Sequence, residues 1–402
     1  MMPDRTDDAS DPGLVSEPRE SQLRTSTECD DAVRYIQYLQ QQQLAEGWDQ
    51  FFRDASRGPD EALISNVLQM VATTLGEPDE RLLTMAREML TAPIELRTAY
   101  ENRATEIRYK PILDEVIEAA IDLGIPAVRP IDLATSTDIS CTPMALPTED
   151  RHLLFAGEGT ARFCNYWTKA ISRSFFTLRA LPSGLSQAEW DSALTSAKPS
   201  GVLLAALFAT KYAFHGTMLE FGRIPNIPEE TDWRAALLHA MLLFSVAHEY
   251  AHFVFYENDP ETRGMLSEEK SKDLEFKCDR MAIRISTQAG KKWERVQIRT
   301  GLGALAFYCV MSLCQDVKDL YGEAGKLSTP NASNNHVDTH PALNLRIDAI
   351  VDELLNSVAV EEQETLRTFL NGFLAMLNMM QRLTVTIVTQ AIVLHSQETE
   401  QA

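Results

Sequence analysis

The sequence predicts a mainly α-helical protein with a small β-sheet, an α+β arrangement. Three textures along its 402 residues carry that expectation. Apolar residues recur at helical spacing from Asp30 to about residue 123, and again after Ser200. The stretch between is rich in Pro, Thr and Ser, with short β-branched patches that suit strands and loops. An apolar fraction of 45% supplies ample material for a core.

The chain opens on "MMPDRTDDASDPGLVSEPRE". This acidic, Pro-rich run reads as a disordered tail over 1–28, the opposite of a basic and apolar targeting leader. Helical spacing follows over 30–56, where the glutamines at 40–43 read as a solvated face. Helices over 60–75, 77–91 and 93–123 come next, divided by Gly-Pro, Gly-Glu-Pro and Ala-Pro breaks. Residues 29–124 therefore form a helical N-terminal region, and a boundary near 125 sets off 125–402 as a second, larger domain. The best strand candidates are "RHLLFAGEGTARFCNYW" at 151–167 and "SRSFFTLRALP" at 172–182. Helices are then expected over 200–220, 232–256, 267–289, 298–321, 341–356 and 361–394.

The charge balance narrows the partners. With 37 basic and 58 acidic residues the net charge is −21, so nucleic acid is excluded as an expected partner. Six cysteines with no CxxC pair point to a reducing compartment, and the protein reads as cytoplasmic. The apolar run from Ala235 to Phe255 carries Glu249 and three histidines, which makes it a buried helix rather than a membrane span. No membrane insertion is expected.

The chemistry concentrates in "SVAHEYAHFVFYEN" at 245–258. Positions four apart in a helix differ by about 40° around the axis, so His248 and His252 share a face and can grip one ion. Imidazole nitrogens suit zinc, and Glu249 beside the first ligand is placed to take a proton from a zinc-held water. Glu249 is the only formal charge between Ala235 and Phe255, and a buried carboxylate needs a reason to be there. His239 lies nine residues earlier, about 180° around the axis, and is expected outside the site.

A catalytic zinc takes three protein ligands and one water. Downstream, "SEEKSKDLEFKCDRMAIRIS" begins with Ser267 as a cap and an acidic first turn, and places Glu275 and Asp279 on one helix face. The 23 residues between His252 and Glu275 let the chain turn and come back alongside the first helix. Glu275 then reaches the metal while Asp279 accepts a hydrogen bond from a ligand imidazole. Alternatives remain at these positions. Glu275 and Asp279 fit a solvated face paired with Lys272 and Arg280, and Cys278 fits a substitute ligand.

HEYAH followed by EFKCDRMA resembles the HExxH…ExxxDxxA signature of the gluzincin metallopeptidases, above all the CAAX prenyl protease and heat-shock membrane protease group. The resemblance implies a zincin-like core, one Zn2+ per chain, His248, His252 and Glu275 as ligands, and Asp279 behind them. "THPALNLRI" resembles the group's HPxxxxRI element through His340, Pro341, Arg346 and Ile347. It implies that His340 or Arg346 stands near the active site as a donor to an oxyanion. His336 and His340 also fit ordinary loop histidines, and Pro341 fits a first-turn helix residue. The resemblance covers about 232–350. That group is commonly membrane-embedded, so a soluble branch, such as phage-exclusion peptidases with HExxH, is nearer.

The expectation is a zinc-dependent endopeptidase acting on a protein or peptide substrate, with Glu249 as general base and an edge strand near 151–156 or 175–180 to hold the substrate. The alternatives are a catalytically silent zinc-bearing binding module and a metal-free helical interaction protein.

Overall fold

A computed structural model describes residues 28–56, 98–182, 184–197, 200–219, 224–264, 266–292, 301–325 and 340–401, with isolated positions at 80, 84, 87 and 88. The expected tail, the helices over 60–75 and most of 77–91, and the segment with His336 lie outside the described residues. Within them the expected α+β class holds. Eleven helices accompany three short strands.

The N-terminal pattern over 30–56 resolves into α1 (Glu28–Gln43) and α2 (Asp49–Ser56), broken where Gly47 turns left-handed at φ 85°. Gln40 is fully buried rather than solvated. Its side chain donates to the Thr135 carbonyl at 2.9 Å and accepts from the Thr98 hydroxyl at 2.6 Å. α3 (Arg103–Asp122) is capped by Asn102, whose side chain accepts from the Ala104 N–H.

Strands β1 (Ile131–Thr135), β2 (Met144–Leu146) and β3 (His152–Ala156) form a sheet in the order β1-β3-β2. β3 is central, parallel to β1 and antiparallel to β2, with Ala145 opposite Leu154. All five residues of β3 are buried, as a central strand requires. Ile36 of α1 packs with Ala134, Leu153 and Phe155 against this sheet.

The second strand candidate is corrected. Only 152–156 of the first candidate is extended, and 172–179 belongs to α4 (Glu158–Arg179). Phe163, Trp167, Ala170, Ile171 and Ser174 are all buried at spacings of three and four. α4 is buried nearly all round from Tyr166 to Ser174, as a core helix is, so its aromatic content reflects burial rather than a strand.

α5 (Gln187–Ser196) starts with a Ser186–Glu189 capping box. α6 (Gly201–His215) starts at Ser200 and ends at a left-handed Gly216. α7 (Thr231–Asn258) carries the HEYAH sequence and packs against α3, α4, α8 (Glu268–Gly290) and α9 (Leu302–Glu323). Ser267 caps α8 by accepting from the Lys270 N–H, as the sequence indicated. α10 (Leu343–Asn356) begins two residues after Pro341, which therefore precedes the helix instead of opening it. α11 (Val360–Gln401) closes the chain. No single described helix is long and apolar enough to cross a membrane.

α7 and α9 meet at a bare backbone contact. A Cβ on Gly303 would lie 2.3 Å from the Ala240 carbonyl carbon and oxygen. Backbone cannot yield as a flexible side chain does, so Gly303→Val is expected to destabilise by about 3 kcal/mol or more, while Gly322→Ala, with nothing within 4 Å of its Cβ, stabilises slightly. Thermal unfolding of both variants checks this; an unchanged midpoint for Gly303→Val would show that the two helices do not touch there.

Candidate metal centre

His248 and His252 lie one turn apart on α7 and direct their Nε2 atoms to the same point, 3.2 Å from each other. α8 runs beside α7 and delivers Glu275 against both. Its Oε2 is 3.4 Å from His248 Nε2 and its Oε1 is 3.4 Å from His252 Nε2. Donor atoms bonded tetrahedrally to one ion at ~2.0–2.1 Å stand roughly 3.3–3.4 Å apart. These three side chains match that spacing and form a group able to hold a metal ion. Glu275 Oε2 is buried and completes no hydrogen bond of good geometry, as an acceptor kept for a cation would be.

One turn beyond Glu275, Asp279 is fully buried. Its Oδ1 lies 3.0 Å from His248 Nδ1, behind the imidazole, where a carboxylate fixes the ring of a metal ligand. It also accepts from the Tyr308 hydroxyl at 2.7 Å and from Arg346 Nε and Nη2, each at 2.7 Å. The Arg346 guanidinium lies 4.4 Å from the Tyr308 ring centre, and its Nη1 is 3.2 Å from Glu275 Oε2. Arg346 is thus committed to two carboxylates and does not line the cleft. His340 sits at the cleft mouth, largely exposed, with Nδ1 3.1 Å from Glu275 Oε2.

Glu249 faces the same cleft and accepts the Ala145 N–H at 2.8 Å. Burial pushes its carboxyl up to about 7, with His248 opposing and Glu275 adding to the rise. For His248, burial alone would depress the imidazole; close contacts with the Asp279 and Glu275 carboxylates outweigh it and raise it to about 10. Burial, then the charge on His248, holds His252 down to about 4. Burial would raise Glu275, but contacts with His248 and His340 hold it far below the usual range. The pattern has one origin. Three carboxylates (Glu249, Glu275 and Asp279) face one guanidinium, leaving two negative charges. Protons on His248 and Glu249 answer that excess, and a divalent cation has the charge to replace both.

The seven residues singled out in the sequence converge here. His239 does not; it pairs with Glu115 of α3 at 2.9 Å. Cys278 is buried outside the donor group, its thiol pushed well up by burial. Glu275 and Asp279 turn inward rather than onto a solvated face. Sequence reasoning missed Tyr308, although a lone hydroxyl in the apolar run "GALAFYCVM" is the kind of signal that marks it. It also misplaced the edge strand. Residues 152–156 are central and 175–179 are helical; the strand beside the metal donors is β2. The cleft between β2, α7, α8 and α9 encloses about 420 Å³. Comparison with protein-family models, curated proteins and solved structures finds no match to this chain.

The chain is expected to bind one divalent ion, with proton release at pH 7. His248→Ala with His252→Ala abolishes binding, and Asp279→Asn weakens it by about 10–100-fold. Calorimetry in two buffers of different ionisation enthalpy reads both quantities, and full occupancy in the double variant would rule the site out.

Proposed function

We propose that the protein is a zinc-dependent endopeptidase with a gluzincin-type, zincin-like core. The observation that carries this is the half-buried Glu249 carboxylate beside the His248–His252–Glu275 triangle, on the wall of an open cleft. Two imidazoles and one carboxylate suit zinc and leave a coordination position free. Zinc so held supplies Lewis acidity toward a water and a scissile carbonyl.

The chain's own residues do the rest. One oxygen of Glu249 holds the Ala145 N–H, and the other is free to take a water proton and pass it to the leaving amine. His340, exposed at the mouth with Nδ1 against Glu275, is the side chain placed to donate to an oxyanion. Arg346 acts through Glu275 and Asp279 as a positioning residue. The short edge strand β2 borders the cleft and is where extended peptide would pair, with the Ala145 N–H already given to Glu249.

Glu249→Gln is expected to keep zinc and fold while lowering hydrolysis by about 10²–10⁴-fold, because an amide cannot take the proton. Mass spectrometry of a peptide library incubated with zinc-loaded protein checks this. Zinc bound with no cleavage of any peptide by the wild type would favour the silent binding module instead.

A further inference from the structure

A second concavity opens at the N-terminal end of α7, roughly 22 Å along the helix from His248. Phe175, Leu178, Trp190, Trp233, Phe373 and Met376 wall a groove of about 590 Å³. That volume falls among small-molecule sites, and the wall is aromatic and aliphatic as such sites are. Phe175 stacks on Trp233 at 4.7 Å and 10°, which leaves a flat apolar face along one side. The Trp190 N–H is already given to the Leu185 carbonyl at 3.0 Å.

Two further observations concern an occupant. Among the described residues, Arg179, exposed in the last turn of α4, is the only charged side chain lining the groove, and no carboxylate pairs with it. In a chain of net charge −21, an unopposed cation at the rim of an apolar groove suits a single anionic head. Gly372 stands in the interior of α11, where glycine weakens a helix. Its φ is not left-handed and a Cβ there would meet nothing within 4 Å, so no described packing calls for a missing side chain. Its absence widens the groove floor.

We propose that this groove binds a free acyl carboxylate, with the hydrocarbon chain along Trp233, Phe175 and Phe373 and the carboxylate at Arg179. An extended peptide would bring N–H and C=O groups to a wall whose described side chains offer few polar partners, Arg179, Thr368 and the Trp233 indole N–H. A hydrocarbon chain brings none. The site is separate from the metal donors and needs no metal.

The test uses the intact chain, whose Trp190 and Trp233 report occupancy by fluorescence, with Trp233→Phe as the signal control. Decanoate, dodecanoate, tetradecanoate and dodecanol are titrated below their micellar concentrations. Saturable binding is expected at one per chain, tightening about fourfold per added methylene until the groove is full. Dodecanol binds more weakly than dodecanoate, and Arg179→Gln removes that difference. Gly372→Leu lowers affinity at least about tenfold while circular dichroism stays native, since leucine is the better helix former. No saturable binding, affinity indifferent to chain length, or unchanged binding by Gly372→Leu overturns the proposal. So does binding to phosphatidylglycerol vesicles without binding to monomeric carboxylates, which would make the groove a membrane contact. Dissociation of an oligomer by Gly372→Leu in sedimentation would assign the groove to a subunit interface and overturn it as well.

Discussion

A single buried carboxylate organises the centre. Asp279 is out of contact with water, and such a group survives only with partners that repay its desolvation. It has them on three other helices: His248 on α7, Tyr308 on α9 and Arg346 on α10. Four helices are thereby fixed to one another around one side chain. The same contacts lay Arg346 against Glu275 and set the plane of the His248 ring. Helix packing and donor geometry are consequently one problem here, solved by one residue.

The N-terminal region serves that centre. α1 is tied to the β1–β2 connection by Gln40, through Thr135, Thr98 and the Thr137 hydroxyl on its carbonyl, and by Gln43, which accepts from Ser136 at 3.4 Å. Gln43 also reaches Met144 Sδ at 3.9 Å. Met144 opens the edge strand that borders the metal donors. A helix more than two hundred residues before His252 thus fixes one wall of the cleft. α3 takes the same direction, burying Tyr109, Ile112 and Val116 in the core shared with α7 and α8.

Legibility in the sequence followed locality. The ligand pair His248 and His252 is set by helix geometry alone, and Glu275 with Asp279 by the same spacing on a second helix, so four positions were readable before any fold. Arg346 and His340 were found only through the likeness of a short element, and that likeness said nothing of what Arg346 touches. Its guanidinium turned out to be held by carboxylates, a fact of tertiary contact. The glutamine run misled only at Gln40: Gln41 and Gln42 are exposed as expected, whereas Gln40 is buried with its amide satisfied on both sides. The strand reading of 172–182 failed because β-type content was weighed alone; 172–179 continues α4, with Phe175 and Leu178 packed against the core.

The edge strand connects these elements to the candidate site, because the proposed peptide cleavage needs a substrate held at a fixed distance from Glu249. β2 spans only three residues and pairs on one side, so its own ladder cannot hold it rigidly. Two contacts to α7 compensate. Beside the candidate metal donors, Glu249 takes the Ala145 N–H. Two turns further along α7, Glu257 takes His152 Nε2 at 2.7 Å and the Arg129 N–H at 2.7 Å, and the His152 ring stacks on Phe253 at 4.6 Å. His152 opens β3 and is fully buried, so this second contact anchors the strand on which β2 is registered. Glu249 and Glu257 stand eight residues apart on one rigid helix, about 12 Å along its axis. The sheet is pinned to α7 across that span, and the distance from β2 to His248 and His252 is set by the helix itself.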